Sequence, residues 1–209
     1  MNQALGQLSL QEFADRLASK QPIPGGGAVA AVTAANAAAL GCMVLAYTLG
    51  KPKYAPHEHE NKNILARLQR AQMQALALAD QDAIAYGHLS ALWKLPPTDA
   101  RRTQQEPEAV RAATAAPMDI ILVAGAILES LHNLPATSNP NLISDLAIAA
   151  KLADTAADAA AWNVRVNMPQ LTDNAERAAM QMQLDRALAG VRAAADSIAN
   201  QIASIMKAR

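Results

Sequence analysis

The chain has 209 residues, 52% of them hydrophobic, and its 18 basic and 18 acidic side chains leave no net charge at pH 7. This length and apolar content suit one domain over residues 1–209 with a sizeable core, and the balanced charge argues against nucleic acid or an anionic membrane surface as a partner. Because Cys42 is the one cysteine, a disulfide framework and a cysteine-built metal site are excluded, and a cytoplasmic, reducing location is expected.

The N-terminal third predicts two helices separated by a proline-glycine turn. Ser9 and Glu12 have the S-x-x-E form of a capping box, which predicts a short first helix. After the turn, the uncharged run Ala28–Leu49 is long enough to span a bilayer. However, alanine is its commonest residue, it contains Thr33, Asn36 and Thr48, and no basic stretch precedes it. We therefore expect a helix buried inside a helical protein or at a subunit interface.

Apolar periodicity and proline breakers predict further long helices. These run from His57 to about Trp93, from near Thr98, again after Pro107 to about Leu134, from Leu146 to about Val166, and from Asp173 to the C-terminus. No segment alternates convincingly as a strand, so the predicted fold class is all-α, a bundle of long, alanine-rich helices. Alanine allows helix axes to approach closely, which favours a large shared interface and a homodimer.

The turn before the second helix consists of Pro22 and Pro24 followed by three glycines, Gly25, Gly26 and Gly27. Glycines before a helix leave backbone N–H groups accessible at the positive end of the helix dipole, which suits an anionic ligand. A tight turn that lets two helices approach closely explains them equally well. A P-loop is excluded because no G-K-[ST] follows.

Two aspartates, Asp80 and Asp82, lie within the long third helix. Because they are two residues apart, their side chains point about 200° from one another, and one of them can share the apolar face. That face, with Ala79, Ala83 and Tyr86, is the face of Asp82. A carboxyl group there is either salt-bridged to a neighbouring helix or has a pKa raised by burial toward a value useful for proton transfer.

Amides and other polar side chains gather in the second half of the chain. N-cap residue types occur four times within seven residues, more than one helix start requires, at Asn139, Asn141, Ser144 and Asp145. Asn163 and Asn167 lie one turn apart on one helical face, where amides either bond to neighbouring helices or bind a heterocycle. His57 and His59 do not converge on a helix and have no evident third ligand, so no metal site is predicted.

Six segments carry a resemblance in a fixed order: PIPGGGAVAA, GKPKY, DQDAIAY, KLP, NPNLISD and NVRVN. Together, over roughly residues 8–167, they resemble the cyclodeaminase/cyclohydrolase family of folate enzymes, which comprises the C-terminal domain of formiminotransferase-cyclodeaminase and the stand-alone methenyltetrahydrofolate cyclohydrolases. The chain departs from the family's usual pattern at two positions. Ala28 stands where serine is common, and Pro97 stands where lysine is common.

The resemblance implies an all-helical dimer that acts on one-carbon tetrahydrofolates and needs neither a metal nor a redox cofactor. It implies an acid/base role for an aspartate of the D-x-D-A block, which the face argument assigns to Asp82 rather than Asp80. The turn from Pro24 to Gly27 would frame the folate pocket. The other expected substrate-binding residues are Lys51 and Lys53 for the anionic glutamate tail, Tyr54 for stacking, Asn139, Asn141, Ser144 and Asp145 for the pterin, and Asn163 and Asn167 for the heterocycle.

The expected activity is that of a methenyltetrahydrofolate cyclohydrolase, which hydrolyses 5,10-methenyltetrahydrofolate to 10-formyltetrahydrofolate, because these residues contain no formiminotransferase domain. A formiminotetrahydrofolate cyclodeaminase, which releases ammonia, uses similar groups and is the alternative. A third interpretation is a non-catalytic helical dimer that binds folate or serves as a scaffold. That interpretation requires Asp82 to be exposed, or salt-bridged with no pocket nearby.

Overall fold

A computed structural model of the chain describes residues 3–208, and these residues form helices joined by turns, with no strand among them. The α-helices are α1 (Leu10–Ala18), α2 (Gly26–Ala46), α3 (Glu58–Trp93), α4 (Ala100–Leu131), α5 (Leu134–Thr137), α6 (Ile143–Asn167) and α7 (Asn174–Lys207). Short 3₁₀ helices lie at Leu5–Gln7, Pro52–His57, Pro140–Leu142 and Met168–Gln170. The all-α prediction is confirmed.

Two predicted helix starts are built as the sequence indicates. Ser9 and Glu12 form the reciprocal capping box of α1, in which the Glu12 N–H donates to the Ser9 hydroxyl at 3.2 Å and the Ser9 N–H donates to the Glu12 carboxylate at 2.9 Å. Asp173 caps α7 by accepting a hydrogen bond from the Ala175 N–H at 2.8 Å. Both caps satisfy backbone donors that have no partner within the helix.

Alanine determines how the bundle packs. Helix α2 lies between α3 and α6, while α4 packs on α3 and α6, and α7 packs on α4 and α6. The buried faces of α2 and α6 consist largely of alanine, including Ala31, Ala34, Ala153 and Ala157, all fully buried. Since these side chains are short, they allow the axes of neighbouring helices to approach closely.

Two segments, Gly26–Ala46 and Ala100–Thr137, have the length and composition of a membrane span, and 56% and 61% of their most apolar windows are buried inside the protein. Such burial is typical of core helices. The uncharged run is thus an internal helix whose remaining surface faces outward.

The predicted break at Pro107 is wrong, because α4 continues from Ala100 to Leu131 through both Pro107 and Pro117. A proline within a helix leaves the carbonyl four residues earlier without its N–H donor. For Pro107 that carbonyl belongs to Thr103, which is exposed and can bond to water. For Pro117 it belongs to the buried Ala113, whose replacement donor comes from α6 and is described below.

Candidate active site

The proline-glycine turn brings the first turn of α2 directly against Asp82 of α3. Gly25 is the N-cap of α2, and the first intrahelical bond runs from the Val29 N–H to the Gly25 carbonyl, so the N–H groups of residues 26–28 lie ahead of the hydrogen-bonded ladder. A Cβ atom on Gly27 would overlap the Asp82 carboxylate. Gly27 is therefore the glycine of this turn that the close approach requires.

The Asp82 carboxyl group is buried without a charged partner. Its residue is 9% exposed, and within residues 3–208 its surroundings supply no basic side chain. Burial raises the pKa of Asp82 from 3.8 to about 6, while the Ala28 backbone amide opposes the shift. Asp82 therefore forms no salt bridge within residues 3–208, and of the two interpretations the structure supports the one with a raised pKa.

Asp82 lies on the wall of a cavity of about 350 Å³ between the N-terminus of α2, the middle of α3 and the C-terminal end of α6. Tyr86 stands one helical turn after Asp82, and Trp162 lies on the rim with 67% of its surface exposed. The Arg165 guanidinium lies 5.4 Å from the centre of the Trp162 ring. The lining residues are Pro22, Ile23, Gly25, Gly26, Gly27, Asp82, Tyr86, Trp162, Asn163, Val166 and Asn167.

The two asparagines of α6 both line this cavity but differ in what they bond. The Asn167 side-chain amide donates to the Ala113 carbonyl at 2.7 Å and so replaces the N–H that Pro117 lacks. Asn163 lies beside Gly26, and its amide makes one long bond of 3.4 Å to the Ala159 carbonyl of its own helix. Of the pair, Asn167 therefore fixes α6 against α4, and Asn163 keeps its polar atoms available to the cavity.

Asp80 occupies a different environment from Asp82, as the face argument predicts. Its carboxylate accepts a hydrogen bond from the Leu5 N–H at 2.8 Å, which ties the N-terminal segment to α3. It lines a neighbouring, mainly apolar cavity of about 390 Å³ together with Pro24. The turn residues therefore divide, since Pro24 lines this second cavity and the three glycines line the cavity that contains Asp82.

The remaining predicted binding residues form a second group at the opposite end of α2. Asn139 anchors this group: its N–H donates to the Thr48 hydroxyl at 3.0 Å, its side-chain oxygen accepts from the Asn141 N–H at 3.1 Å, and the Tyr54 hydroxyl bonds to the same oxygen at 3.4 Å. Lys53 lies over the Tyr54 ring at 5.7 Å from its centre. Lys51 lies in the turn after α2, and Ser144 and Asp145 lie in the first turn of α6.

The distance between the two groups follows from the length of α2. This helix has 21 residues and is about 30 Å long at ~1.5 Å per residue. Within one chain, the structure therefore brings Gly25–Gly27, Asp82, Asn163 and Asn167 together and leaves Lys51, Lys53, Tyr54, Asn139, Asn141, Ser144 and Asp145 at the far end of the helix.

Sequence reasoning missed the apolar and aromatic part of the cavity, namely Ile23, Tyr86, Trp162 and Val166. Trp162 could have been predicted from the sequence, because aromatic residues are only 3% of the chain and Trp162 directly precedes Asn163. Trp162 and Val166 are one turn apart, as Asn163 and Asn167 are, so the four side chains share adjoining strips of α6. Ile23 and Tyr86 belong to the segments PIPGGGAVAA and DQDAIAY. Ile23 has no polar group that would mark a site, and Tyr86 has only its hydroxyl.

The geometry provides acid/base chemistry in a partly apolar cleft. A carboxyl group with a pKa of about 6 holds and releases a proton near neutral pH, and it attracts a cation when ionised. The exposed Trp162 ring and the glycine backbone line the same cavity, and an aromatic ring suits a planar ligand.

Comparison with known proteins agrees with this architecture. The formiminotransferase-cyclodeaminase family model matches residues 9–186. A methenyltetrahydrofolate cyclohydrolase from Methylorubrum extorquens is 33% identical over 81% of this chain and 84% of its own length. The rat formimidoyltransferase-cyclodeaminase is 31% identical over 82% of this chain, which spans 32% of that longer protein.

The structural comparison covers nearly the whole chain. The crystal structure of formiminotetrahydrofolate cyclodeaminase from Thermotoga maritima matches with a TM-score of 0.89 and 29% identity, over 97% of this chain and 99% of that chain. The relatives of the chain described here are named as cyclohydrolase and cyclodeaminase enzymes. By the family match, the sequence identity and the shared fold, this chain is an enzyme that belongs to the formiminotransferase-cyclodeaminase family.

Proposed function

We propose that the protein is a methenyltetrahydrofolate cyclohydrolase that converts 5,10-methenyltetrahydrofolate and water into 10-formyltetrahydrofolate. The observation that carries the proposal is the unpaired Asp82 carboxyl group, held with a pKa of about 6 in a cavity between α2, α3 and α6. The cyclohydrolase from Methylorubrum extorquens, 33% identical over most of this chain, supports the same activity.

The reaction needs one group that serves first as a base and then as an acid. The reacting carbon of the substrate belongs to an amidinium cation, which the ionised Asp82 carboxylate stabilises. Asp82 accepts a proton from the water that attacks this carbon, and it returns that proton to N5 as the C–N5 bond breaks. The hydroxyl proton leaves to solvent as the formyl C=O forms. Because the carbon is already electrophilic and no oxidation state changes, we propose no metal or redox cofactor.

Different walls of the cavity make different contacts with the substrate in this proposal. The pterin stacks on Trp162 and lies against the backbone of Gly25 and Gly26, while Asn163 bonds to its ring substituents. Gly27 lets Asp82 reach the ring system without interference from a side chain.

A second candidate is formiminotetrahydrofolate cyclodeaminase, favoured by the close structural match to that enzyme of Thermotoga maritima. In this reaction N10 attacks the formimino carbon, and the acid form of Asp82 protonates the departing ammonia. The same carboxyl group serves both reactions, so the substrate that turns over identifies the activity.

The test follows methenyltetrahydrofolate absorbance with purified protein in a buffer where uncatalysed hydrolysis is slow. We expect accelerated decay that Asp82→Asn lowers by about 10² or more, since general acid/base catalysis contributes roughly that factor. Asp80→Asn is the matched control, because an amide oxygen still accepts the Leu5 N–H bond, and it is expected to keep the activity. If the wild-type protein causes no acceleration, the cyclohydrolase proposal is wrong, and ammonia release from formiminotetrahydrofolate decides the second candidate.

A further inference from the structure

We propose that Trp93 and Glu106 are positioning residues for the Asp82 cavity, because together they hold the ring of Tyr86, which forms part of the cavity wall near Asp82. The inference deepens the proposed function and rests on it for the identity of the ligand, methenyltetrahydrofolate. Trp93 and Glu106 lie outside the set of residues that line the cavity, so both act through Tyr86.

Tyr86 and Trp93 lie on the same side of α3, two turns apart. Seven residues advance a helix by about 700°, which returns a side chain to within about 20° of its starting direction. The two ring centres are 6.4 Å apart, and the ring planes meet at 83°. This is the edge-to-face arrangement that aromatic pairs prefer, and it restrains the orientation of each ring as well as its place.

Tyr86 belongs both to this aromatic pair and to the cavity. It lines the Asp82 cavity, and 37% of the residue is exposed. Because it stands one helical turn after Asp82, the two side chains reach the cavity from the same face of α3. A planar substrate that contacts Asp82 therefore lies beside Tyr86, and the orientation of the Tyr86 ring limits where the reacting carbon comes to rest.

Trp93 is itself held by a closed set of hydrogen bonds that we call the tryptophan clamp, which consists of Trp93, Leu95, Arg102 and Glu106. The indole N–H donates to the Glu106 carboxylate at 2.8 Å. The Arg102 guanidinium donates to the same carboxylate through Nε at 2.9 Å and Nη2 at 3.3 Å, and its Nη1 donates to the Leu95 carbonyl at 3.0 Å. The bonds thus run from Trp93 to α4 and return to the chain two residues after Trp93.

The charged half of the tryptophan clamp is half-buried and well defined. The side chains of Arg102 and Glu106 are 20% and 29% exposed. Two N–H groups of one guanidinium on one carboxylate make a stronger and more directional contact than a neutral hydrogen bond. Hydrogen bonds from Arg102 and then from Trp93 hold the pKa of Glu106 below its ordinary value of 4.5, so the carboxylate is ionised at neutral pH. The acceptor of the indole N–H is therefore fixed in place and in charge.

An apolar cluster where α3 and α4 meet supports the indole ring as well. Trp93 packs against this cluster, which includes the buried Val110 and Ala113. The cluster adjoins the cavity, because the Ala113 carbonyl accepts the hydrogen bond of Asn167, which is a lining residue. The indole is therefore held by the cluster and by the tryptophan clamp, with Tyr86 against its ring.

A fixed wall matters to the proposed reaction because proton transfer depends on short distances. The substrate and the Asp82 carboxylate must be held near their reacting geometry, and a misplacement of about 1 Å can cost about 10² in rate. A side chain that contacts the substrate keeps its place only when residues behind it restrain its rotamer. Trp93 and Glu106 supply that restraint for Tyr86.

The positioning role is tested first without ligand, by fluorine NMR of the full chain labelled with 3-fluorotyrosine. The labels lie at Tyr47, Tyr54 and Tyr86, and Tyr86→Phe identifies the Tyr86 signal. Glu106→Leu removes the acceptor of the indole N–H but keeps both rings, and it is expected to shift or broaden the Tyr86 signal. Glu106→Gln, whose amide oxygen still accepts from Trp93, is expected to restore most of the wild-type signal.

Glu108→Leu is the matched control for this experiment. Glu108 is an exposed residue of α4, and its carboxylate bonds to Arg111 rather than to the tryptophan clamp. The control is expected to leave the Tyr86 signal unchanged. A Tyr86 signal that is the same in wild type and Glu106→Leu would overturn the proposal. It would also be overturned if Glu106→Gln or Glu108→Leu changed the signal as much as Glu106→Leu does.

The consequence for the substrate is tested by kcat/KM in a double-mutant cycle of Glu106→Leu and Tyr86→Leu. Glu106→Leu alone is expected to lower kcat/KM for methenyltetrahydrofolate about two- to tenfold, which corresponds to one edge-to-face contact. Tyr86→Leu should lower it at least as much. In the Tyr86→Leu background, Glu106→Leu should have no further effect, since it acts through the Tyr86 ring. Effects that multiply in the double variant would overturn the positioning role.

The two experiments separate this proposal from the proposed function. If neither methenyltetrahydrofolate nor formiminotetrahydrofolate turns over, the proposed function is wrong. A Tyr86 signal that responds to Glu106→Leu and not to Glu108→Leu would still show that the tryptophan clamp holds the ring. Normal turnover together with a Tyr86 signal that does not respond to Glu106→Leu would contradict the positioning proposal alone.

Discussion

The burial of the Asp82 side chain determines the pH range in which we expect the protein to be active. Because burial raises its pKa to about 6, the base form becomes abundant only above that pH. We expect kcat/KM for methenyltetrahydrofolate to rise with pH through about 6 and then level off, whereas an ordinary aspartate would give a rise through about 4 and a plateau by about 5. Initial rates between pH 5 and pH 8, corrected for uncatalysed hydrolysis, measure this. A plateau already reached at pH 5 would assign the proton transfer to another group.

The same shift makes the Asp82 charge destabilising. The folded pKa lies above the unfolded value of 3.8, so the cost to folding is absent below about 4, grows as the pH rises to about 6, and is constant above it. Asp82→Asn removes the charge and is expected to be more stable than wild type by about 1–3 kcal/mol at pH 8, with no difference near pH 4. Urea unfolding at both pH values measures the difference in the free energy of unfolding between Asp82→Asn and wild type. An equal difference at the two pH values would show that charge burial is not its cause.

Gly27 is required by contact rather than by backbone conformation. A methyl group there must displace the Asp82 carboxylate, so Gly27→Ala is expected to lose most of its activity. It should also lose about 1–3 kcal/mol of stability from overpacking, against a gain of up to about 1 kcal/mol in helix propensity. Gly190→Ala is the control, because its Cβ meets open space within α7 and should stabilise the protein. Activity assays and thermal unfolding compare them, and an active Gly27→Ala would contradict the geometry of the site.

Among the elements, α4 and α6 are joined at the point where Pro117 interrupts the hydrogen bonds of α4. Asn167→Ala leaves the buried Ala113 carbonyl without a donor, which should cost about 1–3 kcal/mol. Pro117→Ala restores an N–H within α4, so the cost of Asn167→Ala should be smaller in that background. Chemical denaturation of the two single variants and the double variant gives the coupling energy. Additive effects would mean that Asn167 stabilises the protein in another way.

Element types and several starts were predictable because they depend on local chemistry. Ser9 with Glu12 and Asp173 satisfy neighbouring N–H groups, and these contacts are encoded within one helical turn. The continuation of α4 through Pro107 and Pro117 was not predictable in this way. Whether a proline breaks a helix depends on which group donates a hydrogen bond to the freed carbonyl. For the Ala113 carbonyl that donor is Asn167, 54 residues away along the chain.

On the scale of the whole molecule, the sequence predicts which residues are unusual but not which of them meet. Helical periodicity correctly separates Asp82 from Asp80, since the two point to different sides of one helix. It gives no sign that Tyr54 and Asn139 share one end of α2 while Gly27 and Asn163 share the other. That arrangement follows from α6 running antiparallel to α2, since Gly26 lies beside Asn163 and Thr48 bonds to Asn139 just before α6, and it is a result of tertiary packing and not of local pattern.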